Sequence, residues 1–223
     1  LGVTKDMQRQ QMFAITPGFH VPDWAKGALM YQIFIDRFCN GDPDNDVVSD
    51  EYIYIGFPVM KIDDWREDLS VLDVDRFYGG DLQGIWDKLD YLQDMKVEVL
   101  YLNPIFVSPS NHKYDTTDYT VIDPHFGTEE EFKDLVEEAH QHGIRIMVDA
   151  VFNHCGRKFA PWLDVLEKKE KSAYADWFMI HDWETVEKRA DTRDGRFYSF
   201  AFTDGMPKLN TNNEEVIQYF CKI

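Results

Sequence analysis

The chain has 223 residues and a formal net charge of −18, from 23 basic against 41 acidic side chains, which excludes a nucleic-acid partner and argues against anionic membrane surfaces. Its length supports one domain with a real core but falls short of the roughly 250 residues of a complete eight-unit β/α barrel. No apolar run approaches the roughly 18 residues of a membrane span.

The chain opens on Leu1 rather than a methionine, so an upstream leader is left open and the compartment is not readable. Residues 28–35 read as a first strand, followed by a long excursion over 37–80. Asp81 is placed to cap a helix whose Leu82, Ile85, Leu89, Leu92 and Met95 share one face. Residues 97–102 read as a second strand, and 103–127 as a second excursion. Thr128 and Glu131 spell a capping box, opening a helix with Phe132, Leu135, Val136 and Ala139 inward and Gly143 at its end. Residues 144–148 are nearly all apolar and predict a third strand, buried on both faces. A third excursion, 151–212, leads to Asn212, expected to cap a helix carrying Val216, Tyr219, Phe220 and Ile223.

The order β, α, β, α, β predicts an α/β fold with parallel strands in the order 1-2-3. Each helix is expected to return to the next strand within one or two residues, whereas every strand leaves through a long loop. That asymmetry is the pattern of a barrel whose function sits on one face. A doubly wound sheet alternates similarly, but no glycine-rich phosphate turn follows the first strand.

Three loops carry chemistry. The first contains Asn40-Gly-Asp42-Pro-Asp44-Asn45-Asp46, dense in oxygen ligands for a hard cation. An EF-hand register fails, because Asn45 stands where that loop needs glycine. On the residues alone, a cation loop and a solvated turn stand level. The second reads Asn111-His112-Lys113-Tyr114-Asp115-Thr-Thr-Asp118-Tyr119, where rings beside hydrogen-bonding groups suit a sugar. In the third, Asp149, Asn153 and His154 follow the third strand. Cys155 beside His154 reads as a small packing residue, not a nucleophile. Cys39, Cys155 and Cys221 lie far apart and imply no disulfide framework. His140 and His142 do not share a helix face, so they imply no zinc site.

The stretch from Asp149 through Asn153-His154 resembles the first signature of the α-amylase superfamily of glycoside hydrolases. Met206-Pro-Lys-Leu-Asn210 resembles the marker of its neopullulanase, cyclomaltodextrinase and maltogenic amylase group. The resemblance implies a TIM (β/α)8 barrel, of which the chain carries about three of eight units. It divides the chain into a linker from a missing N-terminal domain (1–25), the first strands and helices with a calcium loop (26–150), a domain B-like excursion (151–210) and the start of the third barrel helix (211–223).

The resemblance further implies structural calcium at Asn40, Asp42, Asn45, Asp46, Gly79 and Asp81. His112, Tyr114 and His154 would contact substrate, Asp149 would brace the catalytic centre and Asn153 would support its loop. Asp115 and Asp118 would hold the second loop. The implied activity is a retaining α-glycosidase acting on maltooligosaccharides, cyclodextrins or pullulan, with a homodimer possible for the full-length protein. Two alternatives stay open: a transglycosylase of the same superfamily, or a non-catalytic barrel that binds calcium or glycan. In this family the nucleophile and acid/base follow the fourth and fifth strands. Those segments are absent from the sequence, so the chain alone is expected to be inactive.

Overall fold

The computed structural model describes residues 16–66 and 73–223. Residues 1–15 of the expected linker lie outside them. In chain order the elements are β1 (Met30–Ile33), β2 (Ile53–Tyr54), β3 (Phe57–Pro58), β4 (Met60–Lys61), β5 (Arg76–Phe77), α1 (Leu82–Trp86), α2 (Leu89–Asp94), β6 (Val99–Leu102), β7 (Phe106–Val107), β8 (Asp118–Ile122), α3 (Glu129–Gln141), β9 (Arg145–Val148), α4 (Ala160–Lys168) and α5 (Glu214–Phe220).

The main sheet is parallel, in the order β1-β6-β9. Its register puts Tyr31, Leu100 and Ile146 in one row and Ile33, Leu102 and Val148 in the next. These rows face α1 to α3, where Leu82, Ile85, Leu89, Leu92, Leu135 and Ala139 close the first apolar core. Each fully buried aliphatic side chain contributes about 1.5–3 kcal/mol, so this face fixes the register.

The capping signals work as the residues suggest. Asp81 accepts the Gly84 N–H at 2.6 Å, and Thr128 and Glu131 form a reciprocal capping box. Gly143 follows α3 with φ +75°, a conformation costly for any residue with a Cβ.

Four expectations need correction. The helix expected from Leu82 to Met95 is two helices. Lys88 between them has φ −107° and ψ 6°, and its N–H reaches back only three residues, to Ile85. The apolar face survives the break because one tightened turn barely rotates it. The helix-to-strand returns are longer than expected, over residues 95–98 and 142–144. The third strand is not buried on both faces: β9 lies at the sheet edge, and its Met147 is 37 % exposed. Finally Asn213, not Asn212, caps the last helix, accepting the Glu215 N–H at 2.8 Å, while the Asn212 N–H donates to Asn210.

The excursion after β9 builds a second core. Trp162, Trp177, Phe178, Phe197 and Leu209 pack with Tyr119 from β8 and Val216 from α5. Isolated bridges His154–Lys208 and Phe178–Leu209 return its end to its beginning. A third cluster, Val47, Val59 and Phe77, lies within the first excursion.

Candidate functional site

Beyond the C-terminal ends of β6 and β9 lies a cavity of about 760 Å³. Its lining includes His112, Tyr114, Asp149, Asn153, His154 and Phe200. All five residues expected for substrate contact and active-site support therefore meet in one place.

Each is held from behind. The Tyr114 hydroxyl donates to Asp149 Oδ2 at 2.6 Å. Burial first, then that carboxylate, pushes the phenol well above its ordinary range. Tyr101 on β6 is also raised, by burial and then by Asp149. The Tyr114 N–H donates to His112 Nδ1 at 3.1 Å, so the neutral His112 ring carries its proton on Nε2. His154 Nε2 donates to the Tyr114 carbonyl at 3.0 Å, because a carbonyl can only accept. Its Nδ1 then accepts from the Asn153 amide at 3.1 Å. Burial lowers the pKa of both imidazoles, keeping them neutral at pH 7. His112 thus keeps a ring donor free of these bonds, whereas both nitrogens of His154 are engaged within the protein.

The loop behind His112 is held by Asp115, as the resemblance implied, together with Ser108, Ser110 and Lys113, which the motif reading passed over. Asp115 Oδ1 accepts from Ser108 Oγ at 2.7 Å and also from Ser110 Oγ. Asp118 acts more locally, accepting from Thr120 N and Oγ1. Between His112 and Tyr114, Lys113 adopts φ +61° and buries its ammonium completely. That ammonium pairs with Asp123 at 2.7 Å, donates to the Ser108 carbonyl at 3.1 Å and lies 5.0 Å from the Phe126 ring centre. The side chains before and after Lys113 line the cavity. Phe200 was also missed. Its ring stacks on His154 at 4.8 Å and 18°, ahead of two non-glycine residues with left-handed backbone, Ala201 and Phe202. A phenylalanine in an aromatic-rich loop carries no such signal in sequence. Cys155 is fully buried and burial pushes its thiol well up, as befits a packing residue.

The expected cation residues come together in amide–carboxylate pairs, although among the described residues no three acidic, histidine or cysteine side chains cluster closely enough to hold a metal. Asn40 Nδ2 donates to Asp46 Oδ1 at 2.8 Å, and Asn45 Nδ2 to Asp81 Oδ2 at 3.2 Å. Asp81 also takes the N–H groups of Gly41 at 3.0 Å and Asp42 at 2.8 Å, besides its helix cap. Asp42 itself accepts the Asp44 N–H at 3.1 Å. Gly79, φ +80°, leaves no room for a side chain: a Cβ there would lie 1.8 Å from Asp46 Oδ1. Asp36 fastens this turn from beneath, accepting the Tyr78 and Gly79 N–H groups at 3.1 and 3.2 Å. Asn40 Oδ1 and Asn45 Oδ1 are buried without a hydrogen-bond partner among the described residues.

A family profile described as "Alpha amylase, catalytic domain" matches residues 32–223. The chain belongs to the α-amylase family. It is 48 % identical over 202 residues to neopullulanase 2 of Thermoactinomyces vulgaris, covering 90 % of this chain and 32 % of that protein. It is 47 % identical over 205 residues to the intracellular maltogenic amylase of Bacillus subtilis, covering 92 % of this chain and 31 % of that protein. Among solved structures, the type III pullulan hydrolase from Thermococcus kodakarensis superposes with a TM-score of 0.79 at 38 % identity, covering 89 % of this chain and 35 % of that one. The chain thus spans about a third of the length of these family members, in their N-terminal part. Its three parallel strand units are of the TIM-barrel glycosidase type.

Proposed function

We propose that this chain supplies the substrate-contacting wall of a retaining α-glucan hydrolase acting on maltooligosaccharides, cyclodextrins or pullulan. The observation that carries the reading is the cavity in which Tyr114 and Asp149 are bonded, flanked by His112, Asn153 and His154. His112 Nε2 offers a donor to a sugar hydroxyl. The Tyr114 and Phe200 rings offer apolar faces to the pyranose. Asp149 braces Tyr114 and is the only carboxylate in the cavity lining among the described residues. A retaining mechanism needs two carboxyl groups about 5–5.5 Å apart. These residues therefore bind and orient, and the nucleophile and acid/base belong to other segments. The second apolar cluster supports reading residues 151–210 as a domain B-like excursion and 211–223 as the opening of the third barrel helix.

The same reading includes a structural calcium ion held by Asn40, Asp42, Asn45, Asp46, Asp81 and the Gly79 carbonyl. The two orphaned amide oxygens support it, since buried acceptors without partners call for a cation or water. So does the gap that glycine keeps at position 79. When bound, calcium would tie the loop after β1 to the turn before α1.

The experiment is reducing-sugar release from maltotriose, β-cyclodextrin and pullulan. The full-length protein should release sugar and the 223-residue chain alone should not. Turnover by the chain within tenfold of the full-length protein would mean that a pair of its own carboxylates does the chemistry. No release by the full-length protein would overturn the reading.

A further inference from the structure

The first excursion carries a cation of its own into the Asn40–Asp46 loop. Lys61 ends β4, which pairs in parallel with β5, so that Lys61 lies opposite Phe77. Tyr78, Gly79, Gly80 and Asp81 follow at once. The Ile62 N–H donates to the Phe77 carbonyl at 2.7 Å, and the Lys61 N–H to Ser49 Oγ at 3.0 Å, which pins the strand on both sides. The Lys61 ammonium donates to the Tyr78 carbonyl at 2.9 Å and lies 3.0 Å from Asp46 Oδ2. Its side chain is 18 % exposed and that of Asp46 is 15 % exposed, so solvent screens the pair incompletely.

These contacts join the two halves of the candidate calcium site, a carboxylate from the Asn40–Asp46 loop and a backbone carbonyl from the turn before α1. Those are the ligand types a hard divalent ion uses. Asp46 is meanwhile shared: Oδ2 faces the ammonium while Oδ1 takes the Asn40 amide. A fixed positive charge against a ligand carboxylate neutralises part of its charge and repels an incoming dication.

We propose that Lys61 is a built-in cation of this site, which lowers its affinity for calcium and holds the loop in place when calcium is absent. This rests on the calcium reading above. The site would then be a tuned one, loaded only at higher calcium concentration than its oxygen ligands alone would require. The same lysine would limit how much the fold depends on the ion.

The test compares purified wild-type full-length protein with Lys61→Met and Lys61→Gln. Methionine keeps the stem and loses the charge. Glutamine also keeps a donor for the Tyr78 carbonyl, so the two variants separate charge from hydrogen bonding. Calcium binding is read by titration calorimetry, and melting temperature is read in chelator and in excess calcium. Both variants should bind calcium about tenfold more tightly, as expected from removing a like charge near a divalent ion. Both should also melt lower in chelator and show a larger calcium-induced rise. Equal affinities in all three proteins, or weaker binding in the variants, would overturn the role of Lys61 and leave calcium binding intact. Absence of binding in all three would overturn the calcium reading and this inference with it. Variants that fail to fold even in excess calcium would show that the ammonium is a support that calcium cannot replace, which also contradicts the proposal.

Discussion

The Tyr114 hydroxyl donates to the Asp149 carboxylate at 2.6 Å, joining the loop between β7 and β8 to the residue that follows β9. The two residues are 35 positions apart in sequence, and their bond sets the back wall of the cavity. Through the Tyr114 backbone the same unit also orients both imidazoles, His112 by its N–H and His154 by its carbonyl.

Tyr114→Phe in the full-length protein should therefore leave the fold intact and weaken catalysis. Removing one partner of this part-buried hydrogen bond to a carboxylate costs about 1–3 kcal/mol, or roughly 5- to 150-fold in kcat/KM. Steady-state kinetics on β-cyclodextrin measure it. An unchanged kcat/KM would mean that this bond does not order the site.

Lys113→Met should destabilise the protein by about 3–5 kcal/mol, because it strands the buried Asp123 carboxylate. The double variant Lys113→Met with Asp123→Asn should regain part of that loss, since the amide oxygen can still accept the Ser108 N–H while the His125 N–H loses its carboxylate acceptor. Urea denaturation reads both. A double variant less stable than Lys113→Met would show that the charge pair is not what holds the turn.

The acid limb has a defined sign. Burial depresses His112 and His154 below the ordinary value of 6.5 in the folded state. Their contribution is fully present above pH 6.5 and is lost as pH falls through the depressed values, because the unfolded chain takes up those protons first. His142 works in the opposite sense. The Glu138 carbonyl, then Asp90, raise it, so its contribution is present below 6.5 and fades as pH rises. The measurable quantity is the difference in stability between wild type and the His112→Asn, His154→Asn double variant from pH 8 to 5. That difference should shift against the wild type as pH falls, and the opposite trend would refute the neutral-imidazole assignment.

Much of this architecture is legible along the chain because its causes are local. A capping box is four residues long, and an apolar strand next to a capped helix needs no distant partner to be seen. The helix break at Lys88 and the shift of the cap from Asn212 to Asn213 were not legible, since adjacent asparagines are chemically equivalent until the backbone selects one. At the site, His112, Tyr114, Asp149, Asn153 and His154 stood out through the short strings that hold them. Lys113 sits in one of those strings, yet its role depends on Asp123 and Phe126, which only the fold brings near. The same holds for Lys61 against Asp46 and for Phe200 against His154.

The central claim is that the cavity before Tyr114 and Asp149 receives an α-glucan. The most direct measurement is a crystal structure of the full-length protein with a non-hydrolysable thio-linked maltooligosaccharide. A glucosyl unit should lie against the Tyr114 ring, with one hydroxyl about 2.7–3.2 Å from His112 Nε2. A saccharide bound only elsewhere, with this cavity left to solvent, would contradict the account.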